Sequence, residues 1–91
     1  MAKPTQAHMS RTISRQQPPF FRQRTRSQME YYMGAKLIEV GVNPKTAIYR
    51  WQTQIQGNNE VWTYSAYWDE SRAQLEAAEA QGEPPPPVPE P

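Results

Sequence analysis

Apolar residues in the middle of the chain recur with the period of a helix. Spacings of three and four residues, as expected of one helix face, join Met29, Tyr32, Met33, Leu37 and Val40. Ser27 and Glu30 form a capping box at the start of this run, and Gly41 followed by Val42 supplies a left-handed C-terminal residue and its hydrophobic follower. The pattern predicts a helix over residues 27–40.

Two features of this helix bear on its packing. Its stripe of methionine and tyrosine is more typical of a core-facing side than of a contact surface. Gly34 lowers helix stability by up to about 1 kcal/mol relative to alanine, and such a glycine indicates that another backbone approaches closely. We therefore expect a neighbouring element to pack against the helix at this position.

The following segment, residues 43–56, fits a second helix. Asn43 can cap it, and Pro44 occupies the first turn, where its missing N–H costs nothing. Gly57 would end it. Three apolar residues would then share one face: Ile48, Trp51 and Ile55.

The same segment also fits the first strand of a hairpin over 47–68. One face of this strand would carry Tyr49, Trp51, Thr53 and Ile55. After a turn at Gly57, the partner strand would place on the same face Trp62, Tyr64, Ala66 and Trp68. The turn lacks the favoured Asn-Gly order, whereas the helix has two cap signals, so the sequence favours the helix.

A third helix is predicted over 62–81. The residues that fall on helical spacing in this region are Val61, Tyr64, Trp68 and Leu75. Asp69 can cap a second start into a segment of strong helix formers. Because Leu75 is the one large apolar residue of that segment, we expect it to fray or to be ordered by a partner.

These patterns predict a mainly α fold, a small helical domain of about three short helices at 27–40, 44–56 and 62–81. The alternative is an α+β fold with a hairpin at 47–68. Only 36% of the 91 residues are hydrophobic and ten are proline, which indicates that only part of the chain folds. We expect a disordered or extended basic arm (1–26), a folded or partner-ordered module (27–81) and a proline-rich tail (82–91).

The net charge of +1 hides two ends of opposite sign. Residues 1–50 contain nine Lys or Arg and two Glu, which is nine minus two, or +7. Residues 51–91 contain one Arg and seven Asp or Glu, which is one minus seven, or −6. A basic N-terminal half suits an anionic partner, either nucleic acid or an acidic protein surface.

No set of residues in the sequence points to catalysis or to a cofactor. The chain lacks cysteine, and its single histidine, His8, lies in the basic arm without a nearby acidic or hydroxyl constellation that would make it a base. There is no glycine-rich phosphate loop and no spaced pair of metal ligands. The apolar runs are too short to cross a bilayer, and no signal peptide is evident. We predict a non-enzymatic protein without cofactors or membrane insertion, located in the cytoplasm or within a large soluble or virion assembly.

Aromatic residues and arginines dominate binding hot spots, and this chain is too short to bury all its rings. We therefore predict a surface that docks on a larger protein or oligomer with an acidic surface, formed by Phe20, Phe21, Arg22, Arg24, Arg26, Tyr49, Arg50, Trp51, Trp62 and Tyr67. Residues 37–51 also have the rhythm of a helix-turn-helix, which makes nucleic acid a further partner class. The aromatic segment holds one arginine and is followed by acidic residues, so a base-stacking surface fits less well.

Three short motifs give the central segment a resemblance to a known family. Residues Glu39, Gly41 and Val42 match "E-x-G-V". Residues Trp51, Thr53, Gln56 and Gly57 match "W-x-T-x-Q-G" with one insertion. Residues Tyr67, Asp69 and Ser71 loosely match "T-Y-D-x-S". The segment is similar to the small cyanobacterial inactivating factors of glutamine synthetase, which are short, basic, cysteine-free chains that are largely disordered alone.

This resemblance implies a non-enzymatic inhibitor whose arginines engage acidic patches on the synthetase. The family's arginines do not align with those of this chain, and the acidic C-terminal segment departs from the family. A structural or assembly component of a large particle, such as a phage virion or a photosynthetic complex, is the alternative function. In that case the two oppositely charged ends would contact different neighbours.

Overall fold

A computed structural model of the chain describes residues 3–83 and shows an α+β fold. Its elements are β1 (Gln6–Ser14), α1 (Pro19–Glu39), a 3₁₀ turn (Pro44–Thr46), β2 (Ile48–Gln56), β3 (Asn59–Tyr67) and α2 (Asp69–Ala80). The predicted mainly α fold with three helices is therefore wrong. The alternative α+β fold, with its hairpin at 47–68, is confirmed.

The three strands form one antiparallel sheet in the order β1-β3-β2. Gln6 pairs with Tyr67 at one end of β1, and Ser14 pairs with Asn59 at the other. Ile48 faces the other side of Tyr67, so β1 and β2 flank β3 over its full length. Along the chain, α1 and β2 thus separate the N-terminal strand β1 from its partner β3.

The β2–β3 hairpin closes through a two-residue loop, Gly57 and Asn58. Gly57 has φ +60° at the first central position, which is where a type II′ turn requires glycine. The Gly-Asn order is therefore a hairpin signal in its own right. The prediction that favoured a helix from 44 to 56 considered only the Asn-Gly order and missed this turn.

The cap signals at residues 43–44 act over a single turn. The Asn43 side-chain oxygen accepts a hydrogen bond from the Lys45 N–H at 3.0 Å, and Pro44 stands at the first position. The 3₁₀ turn ends at Thr46 because the alternating residues that follow pair with β3 along nine positions. Without a helix here, the helix-turn-helix interpretation of residues 37–51 is also wrong.

Helix α1 begins at Pro19, eight residues before the predicted start at Ser27. Pro18 stands at the N-cap and Pro19 at the first helical position, where proline is well tolerated. Residues 6–26 thus supply β1 and the first turns of α1 instead of an extended arm. The C-terminal end is as predicted, because Gly41 has φ +81° and the Val42 N–H donates to Leu37 O at 2.8 Å.

The core lies between α1 and one face of the sheet, which we call the front face. Met29, Met33 and Leu37 of α1 are fully buried there, as the predicted stripe requires. Tyr32 and Val40, which belonged to the same predicted stripe, are about half exposed. The buried cluster comprises Ala7, Met29, Met33, Leu37, Ala47, Tyr64, Ala66 and Trp68.

Helix α2 packs against the opposite face, the back face, where Ser65 and Tyr67 point because side chains alternate along β3. Leu75 is its one buried residue, and Arg50 of β2 forms an ion pair with Glu79 of α2. The predicted third helix at 62–81 is wrong in its first part, because residues 62–67 belong to β3 and α2 begins only at Asp69. Trp68 stands at the N-cap instead of Asp69, which has φ 49°. The predicted proline-rich tail lies, from residue 84 onward, outside the described residues.

Replacing Gly34 with alanine is expected to stabilise the protein by up to about 1 kcal/mol. The residue lies within α1, and an added Cβ would meet nothing within 4 Å. The expected close approach of another backbone at this position is therefore wrong. Chemical denaturation followed by circular dichroism measures the change, and a loss of stability in Gly34→Ala would contradict the open space seen here.

Candidate protein-interaction surface

The sheet-facing side of α1 changes from apolar to basic toward its N-terminus. Arg22 and Arg26 precede Met29 and Met33 at helical spacing, so all four point toward the front face. The guanidinium of Arg22 lies 5.1 Å from the ring centroid of Trp62, and that of Arg26 lies 4.9 Å from the Trp51 ring. These distances are typical of cation–π contacts, which join the first half of α1 to the sheet.

We call Arg22, Arg26, Trp51 and Trp62 the arginine–tryptophan cluster. Both of its arginines form ion pairs with carboxylates of the same chain. Arg22 forms an ion pair with Glu60 at 2.6 Å, and Arg26 forms a longer one with Glu30 at 3.6 Å. Because the charges are largely compensated inside the molecule, the cluster positions α1 as well as facing outward. The cluster borders an open groove of about 710 Å³ whose lining includes Trp62 and Glu30.

The rings beneath the arginines form a continuous aromatic ladder on the front face. Trp51 stacks on Tyr64 with centroids 4.3 Å apart, and Tyr64 stacks on Tyr49 at 5.5 Å. Burial raises the pKa of Tyr64 to about 12, and the nearby Glu30 carboxylate adds to this shift. Tyr49 is fixed by donating its hydroxyl proton to Pro44 O at 2.7 Å, and burial raises its pKa as well.

The opposite side of α1 exposes an unusual number of large apolar side chains. Phe20 is 69% exposed, Tyr31 73% and Ile38 67%. Phe20 and Phe21 pack edge to face, and Tyr31 and Tyr32 repeat this arrangement 11 residues later. Since 11 residues make about three helical turns, or roughly 16 Å, the two aromatic pairs lie on one side of α1. We call Phe20, Phe21, Tyr31, Tyr32 and Ile38 the outer strip.

The structure distributes the predicted recognition residues over three places. Phe20, Phe21 and Arg24 lie on the exposed part of α1. Five more belong to the arginine–tryptophan cluster and the aromatic ladder beneath it: Arg22, Arg26, Tyr49, Trp51 and Trp62. Arg50 and Tyr67 lie on the back face, where Arg50 is paired with Glu79 and Tyr67 is only 3% exposed. The ten residues therefore do not form one surface.

Sequence reasoning missed the C-terminal half of the outer strip. Tyr31, Tyr32 and Ile38 were not proposed for binding, although the first two repeat the aromatic pair of residues 20–21 at a spacing of 11. This spacing carries information only if one helix spans both pairs. The Pro18-Pro19 start of α1 is the signal that would have shown it.

His8 lies on the back face of β1, where it contacts Ser65, a residue 57 positions away in sequence. Its Nδ1 is 2.7 Å from the Ser65 hydroxyl, and its Nε2 is 3.2 Å from Gln6 Oε1. Because the amide oxygen can only accept, Nε2 carries the proton and Nδ1 accepts from Ser65. Ser65 is 1% exposed, so a substrate cannot reach its hydroxyl. Within residues 3–83 no group of three or more His, Asp or Glu side chains could hold a metal ion.

Acidification through the pKa of a free histidine is expected to destabilise the fold through His8. Desolvation lowers its folded-state pKa below the ordinary value of 6.5, so the unfolded chain binds a proton more readily. The stability that depends on neutral His8 is thus fully present above 6.5 and is lost as pH falls through the folded-state pKa. The free energy of unfolding, plotted against pH over this range, should change less steeply for His8→Gln than for the unmodified chain. Equal slopes for the two proteins would refute the role of His8.

Comparisons with known proteins found no relative, so a function can be inferred only from the geometry described above. No family model, no curated protein and no solved structure matches this chain. In the part of the chain that the structure describes, neither helix has the length and apolar character needed to cross a membrane. The outer strip and the arginine–tryptophan cluster are therefore the surfaces from which a function can be inferred.

Proposed function

We propose that this protein is a non-enzymatic interaction module that docks on a larger protein through the outer strip of α1. The observation that carries the proposal is the exposure of five large apolar side chains along one helix. Proteins rarely leave such a patch open to water unless it meets a partner. An exposed apolar helix side is a common form of recognition, in which anchors spaced by helical turns enter a hydrophobic groove.

The chemistry of the partner follows from what surrounds the strip. Arg24 lies between the two aromatic pairs, and among the described residues it has no ion-pair partner. A complementary surface would combine an apolar groove for the rings with a carboxylate opposite this guanidinium. Aromatic and arginine side chains are also the types most enriched at binding hot spots.

Two partner classes deserve a direct test. The resemblance to the inactivating factors suggests glutamine synthetase, in which case the protein would act as an inhibitor. The ordered fold of residues 3–83 departs from the disorder that this resemblance implies. A subunit of a large particle is the other class, and it suits a rigid module that presents one long helix. The outer strip supports docking in either case.

The proposal is tested in two steps. The tagged full-length chain is used to copurify its partner from its native extract, and the partner is then purified and titrated with the chain. Tyr31→Asp is expected to weaken this binding at least about thirtyfold, or about 2 kcal/mol, because it places a carboxylate in the centre of the apolar contact. Added to glutamine synthetase in near-stoichiometric amounts, the chain should cut its activity if that enzyme is the partner.

A matched variant separates loss of the surface from a general effect of charge. Gln23→Asp adds the same charge to the same helix, at an exposed position on the groove side away from the outer strip. It should bind the partner as the unmodified chain does. Equal binding by Tyr31→Asp and the unmodified chain would rule out the outer strip as the docking surface.

A further inference from the structure

The outer edge of β2 is open, and the hydrogen bonds of the sheet show which of its residues point outward. The Arg15 N–H donates to Asn58 O and the Trp68 N–H donates to Thr5 O, both at 2.9 Å. Even-numbered residues of β3 therefore bond to β1, since the bonding direction alternates along an antiparallel strand. Its odd-numbered residues bond to β2, where their register partners have even numbers. The odd-numbered residues of β2 thus point their backbone groups away from the sheet.

One of these outward groups is already satisfied. The Tyr49 carbonyl accepts a hydrogen bond from Arg50 Nη1 at 2.7 Å, and the same guanidinium is held by Glu79. The backbone groups of Trp51, Thr53 and Ile55 have no hydrogen-bond partner within residues 3–83. This leaves an unpaired stretch of edge that begins just after the Arg50 side chain.

The unpaired stretch lacks the devices that keep strand edges apart. It contains no proline, and its register with β3 runs without a bulge. Residues 51–59 carry no charge, and Ile55 remains 60% exposed. Natural sheets normally protect such an edge with charge, proline or a bulge. β1, at the other edge, carries Arg11 and is flanked by Lys3 and Arg15, whose like charges oppose self-pairing.

We propose that β2 pairs with β2 of a second copy of this chain, which joins two sheets into one of six strands. In an antiparallel pairing with a two-fold axis at Thr53, Trp51 of each copy faces Ile55 of the other. The outward groups of residues 51, 53 and 55 then form about six backbone hydrogen bonds. This register uses the unpaired groups and leaves the Tyr49 carbonyl to Arg50.

Side chains on both faces agree with this register. On the front face, Trp51 of one copy would cover Ile55 of the other, a favourable cross-strand pair of an aromatic and a β-branched residue. On the back face, Gln52 would face Gln54, and Arg50 would face Gln56, so no like charges meet. α1 packs mainly over β1 and β3 and reaches β2 through the Arg26 side chain on Trp51, while Thr53 and Ile55 of β2 remain exposed. This dimer surface is separate from the outer strip of α1.

The test uses charge at the proposed symmetry axis. Sedimentation velocity of the full-length chain, from low to high micromolar concentration, should show a monomer–dimer equilibrium. Thr53 is exposed, so Thr53→Lys and Thr53→Glu should both fold as judged by circular dichroism. Each should raise the dimer dissociation constant at least about tenfold, because identical charges then face each other across the axis.

Mixing the two variants decides the register. An equimolar mixture of Thr53→Lys and Thr53→Glu should recover the dimer, since opposite charges then meet at residue 53. Ile38→Lys, which adds a charge to the outer strip, should dimerise like the unmodified chain. A chain that stays monomeric throughout would overturn the proposal, as would a dimer that Ile38→Lys abolishes. Failure of the mixture to associate would overturn the register at Thr53.

Discussion

Replacing Met33 with alanine is expected to lower the free energy of unfolding by about 2–5 kcal/mol. Met33 is fully buried at the centre of the contact between α1 and the front face. The truncation loses the favourable free energy of burying the deleted side-chain atoms. It also leaves a cavity that the surrounding side chains cannot close completely. Urea denaturation followed by circular dichroism measures the loss, which is large relative to the total stability of a small domain.

Ile38→Ala is the matched control for this prediction. It truncates a branched apolar side chain on the same helix, but Ile38 is 67% exposed and belongs to the outer strip. Its effect on stability should stay within about 0.5 kcal/mol, as for most surface positions. Similar losses in both variants would mean that α1 does not bury the side described above.

Replacing Leu75 with alanine is expected to release α2 at a cost of about 2–5 kcal/mol. Leu75 is the one buried residue of this helix, whose other contacts include the ion pair of Glu79 with Arg50. A twelve-residue helix without tertiary contact is marginal in water, so α2 should fray once this contact is lost. Hydrogen exchange should show loss of protection in α2 beyond that in α1.

Gln74→Ala tests whether the loss comes from the buried contact. Gln74 is exposed on the same helix, and alanine is a better helix former, so its α2 amides should keep their protection. If Leu75→Ala leaves exchange in α2 unchanged, the ion pair of Arg50 with Glu79 and the other polar contacts hold the helix without the leucine.

The sequence contained the signals for most elements, but local signals could not rank competing structures. Residues 48–56 fit both helix and strand, and pairing with β3 along nine positions decided between them. This long-range term is not visible in caps or periodicity. β1 was missed because it pairs with residues far along the chain, and its alternation of small and polar residues is weak.

The candidate surface was partly predictable for a similar reason. Composition drew attention to the aromatic and arginine residues, but it could not assign them to faces of the fold. Arg22 and Arg24 are two residues apart, yet one contacts Trp62 and the other lies on the exposed side of α1. That division depends on the helical start at Pro19, which the basic-arm prediction had excluded.

The strand order β1-β3-β2 also has a consequence for the order of folding. The β2–β3 hairpin joins neighbours through a two-residue loop and can form within microseconds. We expect β1 to pair after that hairpin, because its pairing of Gln6 with Tyr67 closes a loop that runs from β1 to the end of β3, at a larger cost in chain entropy. On a ribosome, β1 and α1 emerge before the hairpin on which they pack. The nascent chain therefore carries an unpaired strand and the uncovered methionine stripe of α1 until β3 has been synthesised.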